Sequence, residues 1–294
     1  MSSSPSVTVR FYPPPEDLGG CFTTFYIAEF DPDQADALRD GLHPEWAGLR
    51  FFSPFGPDTW TDAGLKVSGT TFQATGPTSH PVHFAILKSR MWGLGLLPLG
   101  WARYVGQPAD QFANVICDGH LNPAFAPFRP LAKTLFGDQP NEAAELARIV
   151  AFFRQLKARP VTDEKRILAI HTALVDPDVT SVGQLTARVA ASQRTVERLC
   201  HRHFGFSPKL LLRRQRFMRS LAQFMLDPSL NWIGAMDSSY HDQAQFVRDF
   251  HEFMTLTPRE YASQPHPVLE RFLHERLKAH GVPVQTLDKP VGAA

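Results

Sequence analysis

The sequence predicts an α+β chain in which a β-rich front domain precedes an all-α back domain. Three observations point there. The chain has 294 residues, about twice a typical domain length, so two domains are expected. Residues 1–136 hold 20 of the 33 aromatic residues and 15 of the 25 prolines, in short apolar runs punctuated by Pro and Gly, the texture of strands and loops. From residue 141 the texture changes to long helical periods with few breakers. The boundaries read as 1–140 for a sensor, effector or oligomerisation domain, 141–160 for a linker helix, 161–262 for the helical domain and 263–294 for a helical tail. A hydrophobic content of 43 % suffices for sizeable cores, and 20 % charged residues argue against wholesale disorder. No apolar run is long enough for a membrane helix, which leaves no membrane partner. The start, MSSSPSVTVR, lacks the basic end and apolar stretch of a secretory signal, and Cys21, Cys117 and Cys200 lie far apart; a reducing cytoplasm is expected.

In the front half, strands are expected at 21–30, 48–53, 65–74, 82–88 and 91–97. Asn141 can cap a helix to about 158, with Leu146, Ile149, Val150, Phe153 and Leu156 on one face, for packing within the chain or for a coupling or dimer contact. A second helix, 163–175, ends before Asp176–Pro177. Ser181 then caps a short helix with Val182, Leu185 and Val189 inward. Ala190 and Ala191 make a tight turn, and Ser192 caps a helix with Val196, Leu199 and Cys200 inward, closed by Gly205. Two short helices joined by a small-residue turn describe a helix-turn-helix. Ser207 caps a long helix to about 226, ended by Asp227–Pro228. The plan then repeats, with Trp232, Ile233 and Met236 inward, Ser238–Ser239 as the turn, Asp242 as the cap for Phe246 and Phe250, and Thr257–Pro258 opening a last helix.

Charge is concentrated in the same region. Residues 181–226 carry nine basic groups (Arg188, Arg194, Arg198, Arg202, Lys209, Arg213, Arg214, Arg216 and Arg219) against Glu197 alone, and residues 227–262 carry two against six. A block of net +8 is the footprint expected of a phosphate-binding surface, with a solvated helix face as the bland alternative. On the outer face of the first unit's second helix lie Gln193, Arg194, Glu197, Arg198 and His201. Arginine there reaches guanine O6 and N7 in a major groove, and Glu197 accepts from cytosine N4. Arg213 and Arg214 on the long helix are candidate phosphate contacts.

Taken together, residues 163–262 resemble the DNA-binding domain of the AraC family of bacterial transcription regulators. The resemblance rests on SQRTVERL (192–199), GFSP (205–208), DQAQFVRDF (242–250) and TPREY (257–261), and covers about a third of the chain. It implies two recognition helices entering successive major-groove turns of double-stranded DNA. Arg194, Glu197 and Arg198 would read bases in the first, and Gln243, Ala244, Val247 and Arg248 would face DNA in the second. It further implies a small-molecule effector held by a cupin-like front barrel, a homodimer, and RNA polymerase as a possible partner. Three positions depart from the family pattern: Ser239–Tyr240 stands for Gly-Phe, Thr255 for Gly and Cys200 for Phe.

Two rival classes compete with this reading. A cupin-like metal enzyme would use His43, His80, His83, His120 and Asp118, but His80 and His83 are three apart and no His-x-His set is present. Cys200, His201 and His203 share a helix, with Cys200 facing inward. No nucleophile elbow, Walker loop or dinucleotide fingerprint occurs, so no catalytic residue, metal or cofactor is assigned. An interaction protein with a degenerate helix-turn-helix would bind electrostatically, with a salt slope and no sequence preference. The tail stretch 267–280, with Val268, Leu269, Phe272, Leu273 and Leu277, is amphipathic and is expected to pack on its own helical domain.

Overall fold

A computed structural model describes residues 6–32, 36–227 and 229–290. The front domain is built from ten strands: β1 (Ser6–Tyr12), β2 (Phe22–Asp31), β3 (Leu38–Leu42), β4 (Gly48–Ser53), β5 (Asp58–Trp60), β6 (Lys66–Val67), β7 (Phe72–Thr75), β8 (Val82–Ile86), β9 (Ser89–Leu96) and β10 (Ile116–Asp118). They form a six-stranded sheet in the order β1-β2-β9-β4-β7-β10 and a four-stranded sheet in the order β3-β8-β5-β6, with antiparallel pairings. The β-rich front domain expected from the sequence is present, its cupin-like barrel taking the form of two separate sheets around a shared core. The single strand expected at 65–74 is two short ones, because Gly69, at φ +66°, turns the chain between them.

Helix α1 (Pro98–Gly100) follows β9 and meets the later helices, and α2 (Arg129–Thr134) packs on α3 (Glu142–Gln155). Asn141 caps α3 by accepting from Ala144 N at 3.1 Å. Far from being a free linker, α3 is bolted to β9. Glu145 is fully buried and accepts from both terminal nitrogens of Arg90 at 2.8 and 3.0 Å and from Trp92 Nε1 at 2.7 Å. Ile149 and Phe153 are interior, and the Phe153 ring lies 4.7 Å from that of Phe22. These two side chains are taken up by the chain's own core, which leaves them no surface for a dimer contact in this fold.

The helical half comprises α4 (Glu164–Val175), α5 (Val182–Val189), α6 (Gln193–Phe204), α7 (Pro208–Leu226), α8 (Trp232–Ala235), α9 (Gln243–Met254), α10 (Pro258–Ala262) and α11 (Leu269–His280). One apolar core runs from the larger sheet through α3 into α4, α5, α6 and the start of α7. At its centre the Trp46 ring meets His171 at 5.2 Å and Phe204 at 5.7 Å. A second core, with Phe217, Phe246, Phe250, Phe253 and Tyr261, belongs to the second unit.

Contrary to expectation, the tail helix α11 packs on the front domain as well as on α7. Phe272 sits edge-on against Phe11 at 6.0 Å and Tyr26 at 5.5 Å, and Asp40 of β3 accepts from Val268 N and Leu269 N, both at 2.9 Å. Val268 joins Phe30, Phe52, Phe84, Ile86 and Met91 in a third core between the sheets, with Phe272 packed against it. The lumen left there is about 40 Å3, room for a few waters. At its polar end the buried Arg50 donates to both Glu45 oxygens at 2.7 Å.

Candidate nucleic-acid interface

Each helix of the two units begins at a side-chain cap. Ser181 and Gln184 form a capping box at α5, with Gln184 N donating to Ser181 Oγ at 3.2 Å. Ser192 accepts from Thr195 N at 3.3 Å, Ser207 from Leu210 N at 3.3 Å and Asp242 from Gln245 N at 2.6 Å. Thr257 and Glu260 form a second capping box at α10. Ala190 holds the first turn in the left-handed region at φ +51°. Gly205 ends α6 at φ +84°, and it is also a docking point: a Cβ there would lie 2.4 Å from Pro77 Cγ of the front domain.

These caps orient the outer faces. Gln193, Arg194, Glu197, Arg198 and His201 are exposed on α6, while Val196, Leu199 and Cys200 are buried. On α9, Gln243, Ala244 and Arg248 are exposed and Val247 is half-buried. In α8, however, Ile233 is 61 % exposed and Ala235 is the buried residue. Trp232 faces α7, stacked on Phe224 at 3.5 Å, and a single turn of helix cannot turn Ile233 to the same side.

The basic block divides into two populations. Arg214, expected to hold a phosphate, is wholly buried. Its guanidinium lies 4.3 Å from the Trp46 ring centre and donates to Thr78 O at 2.8 Å. Burial lowers its pKa to about 9, so it stays charged at neutral pH without a carboxylate partner. Arg213 is likewise occupied, donating to Asp249 Oδ1 through Nη2 at 2.6 Å and Nε at 3.1 Å, and pairing with Glu252. Arg216 reaches Asp249 Oδ2 at 2.8 Å, and Arg219 pairs with Asp237. The +8 of one segment and the −4 of the next therefore meet in space and fasten α9 to α7. Lone spacing could not show this, but the opposite signs of neighbouring segments were a usable signal.

The outward population is smaller. Among the described residues, Arg194, Arg202 and Lys209 make no ion pair, while Arg198 lies 3.7 Å from Asp163 and Arg188 lies 3.2 Å from Asp176. Between the two units runs a groove of about 610 Å3 whose lining includes Thr180, Ser181, Lys209, Arg219, His241 and Arg248. Thr180, Ser181, Lys209, Arg219 and His241 were absent from the sequence-based site, because the groove exists only once α5, α7 and α9 are packed.

Residues 185–264 match the family model described as a helix-turn-helix domain. The chain carries a helix-turn-helix domain. Within this domain two of the positions that depart from the AraC pattern, Tyr240 and Thr255, have local partners. The Tyr240 hydroxyl donates to Asp249 Oδ2 at 3.1 Å, and Arg216 stacks on its ring at 4.1 Å. Thr255, left-handed at φ +59°, donates to Asp62 Oδ2 of the front domain at 2.7 Å. No curated protein sequence matches the chain. Among solved structures the chain is similar to ToxT from Vibrio cholerae, at 10 % identity over 88 % of this chain and 98 % of that one, TM-score 0.43. A structure of unsaturated fatty acid bound wild-type ToxT from Vibrio cholerae strain SCE256 is similar at 11 % identity over 89 % and 96 %, TM-score 0.43. The AraC-like transcriptional activator CuxR is similar at 14 % identity over 74 % and 87 %, TM-score 0.29. The candidate metal ligands of the front domain lie apart: His43 bonds Tyr261, His83 bonds Asp62 and His120 bonds Thr71. No described helix is long and apolar enough to cross a membrane.

Proposed function

We propose that the chain is a cytoplasmic, non-enzymatic transcription regulator that recognises double-stranded DNA by sequence. The observation that carries this reading is the pair of capped helix-turn-helix units on one long helix, each leaving the outer face of its second helix in solvent. Arg194, Glu197 and Arg198 supply base contacts in the first unit, with Gln193 and His201 beside them. Gln243, Ala244, Val247 and Arg248 serve the second. Lys209, exposed and unpaired, replaces Arg213 and Arg214 as the phosphate contact on α7. Replacing Arg194 by alanine is expected to cost roughly 1–3 kcal/mol of binding and to relax preference at one base pair, whereas Lys209→Ala weakens all duplexes alike and lowers the salt slope by about one. Equal losses on every sequence for Arg194→Ala would remove it from the reading set.

The front domain is the proposed effector sensor, with the lumen between the sheets as the site. Its walls call for an apolar ligand, but the present space of about 40 Å3 admits none, so binding must displace α11 and shift the population of domain arrangements. Phe272→Ala opens that wall and is expected to increase uptake of an apolar fluorescent dye several-fold; unchanged uptake would locate the effector elsewhere. A homodimer and RNA polymerase are the proposed protein partners, through surfaces other than the buried face of α3.

A further inference from the structure

We propose that the cleft between the front domain, the connector after α3 and the first recognition helix is a binding site for a small phosphate-class oxyanion. The cleft encloses about 440 Å3, within the usual range for a small-molecule site, and is lined by Gln107, Arg159, Asp163, Arg198, Arg202 and His203. Three guanidinium groups thus share one carboxylate, and Asp163 is already 3.2 Å from Arg166. Arg159 and Arg202 make no side-chain hydrogen bond or ion pair among the described residues. Arg159 lies across Gly106, whose φ is +71° and where a Cβ would stand 2.6 Å from Arg159 Nη1. His203 is 9 % exposed and has no hydrogen-bond partner among the described residues. Converging, underpaired arginines are costly unless an anion joins them, and the planar fork of arginine matches phosphate oxygens in pairs.

Burial, with Arg202 and Arg198 nearby, lowers the His203 pKa to about 4. Asp163 opposes that shift but burial is its largest cause and persists when an anion enters, so the arginines, with neutral His203 as a hydrogen-bonding wall, carry the anion's charge near neutral pH. Arg198 and Arg202 belong to the recognition helix, so an occupied cleft holds them away from DNA. That last step rests on the DNA-binding reading, whereas the anion site itself does not.

The test is calorimetric titration of the full chain with inorganic pyrophosphate, without DNA, at constant ionic strength set with potassium chloride. The expected result is saturable binding of one anion per chain at neutral pH. Arg159→Ala, on the connector and away from the DNA-facing residues, should weaken it about tenfold or more, as should Arg202→Ala. Absence of saturable binding, or equal binding by wild type and both variants, would overturn the proposal. Should Arg159→Ala instead weaken only DNA binding, the cleft seats a backbone phosphate and the free-anion site is likewise overturned. A titration that succeeds while DNA preference is absent would uphold the anion site and remove the regulatory link alone.

Discussion

Replacing Asp249 by alanine is expected to cost about 3–5 kcal/mol and to loosen the second helix-turn-helix unit from α7. Asp249 is 1 % exposed and accepts from Arg213, Arg216 and the Tyr240 hydroxyl. Its loss leaves the Arg216 guanidinium, whose Nε already lacks a partner, without a counter-charge beneath the Tyr240 ring. Removing one partner of a buried pair costs far more than the pair contributes, because the remaining charge is stranded in low dielectric. Because the second unit has its own apolar core, the effect should be local: tyrosine and phenylalanine resonances around Phe246 and Phe250 broaden while those around Trp46 persist. Arg213→Ala should cost about 1 kcal/mol or less, since its side chain is 30 % exposed and Asp249 keeps two other donors. Denaturant titration of both variants checks this. A loss below about 1 kcal/mol for Asp249→Ala would mean that the arginine cluster does not fasten the unit.

Acidification from about pH 7 to about pH 5 is expected to remove roughly 3–4 kcal/mol of stability. His43 and His171 are buried and neutral, with pKa values lowered to about 3 by desolvation. The Tyr261 hydroxyl donates to Met225 Sδ at 3.2 Å, which leaves its oxygen to accept from His43 Nε2 at 2.7 Å; His43 Nδ1 has no partner for a proton. Histidines depressed in this way contribute stability that is complete above the ordinary value of about 6.5 and is lost as pH falls below it, because only the unfolded chain then takes up protons. Each contributes about 1.4 kcal/mol per pH unit, or about 2 kcal/mol at pH 5, and the less deeply buried His203, lowered to about 4, adds a smaller, solvent-screened loss of the same sign. His266 works in the opposite sense: Asp40 and the Tyr261 carbonyl raise its pKa, so its contribution is present in acid and lost as pH rises through that raised value. It offsets part of the loss. His43 and His171 both lie where the helical half meets the front domain, so acid should part the two halves early. His43→Gln is expected to flatten the pH dependence by about half; constant stability across this range would contradict the assignment.

Much of the helical half was legible because its determinants are local. Ser181, Ser192, Ser207, Asp242 and Thr257 each cap the helix expected from sequence, and Gly205 adopts the left-handed conformation its position required. The outer face of α6 followed from the same periodicity. What sequence could not show were contacts made across the chain. Arg214 reads as a surface cation until Trp46 and the Thr78 carbonyl are brought over it. The amphipathic stripe of α11 was visible, but its partners, Phe11 and Tyr26, lie on strands at the other end of the chain. β1 alternates Val7, Val9 and Phe11, a readable period that the Ser- and Pro-rich start masks, whereas β5, β6 and β10 are too short to carry a period. The lumen, the inter-unit groove and the arginine cleft are all products of packing.

Selection of bound duplexes from a random pool, at moderate ionic strength, tests the central claim most directly. The account predicts enrichment of two short motifs about 10–10.5 base pairs apart, one for each recognition helix, with scrambled competitor bound at least about a thousandfold more weakly. Recovery of unenriched sequences, all retained with the same salt slope, would contradict it.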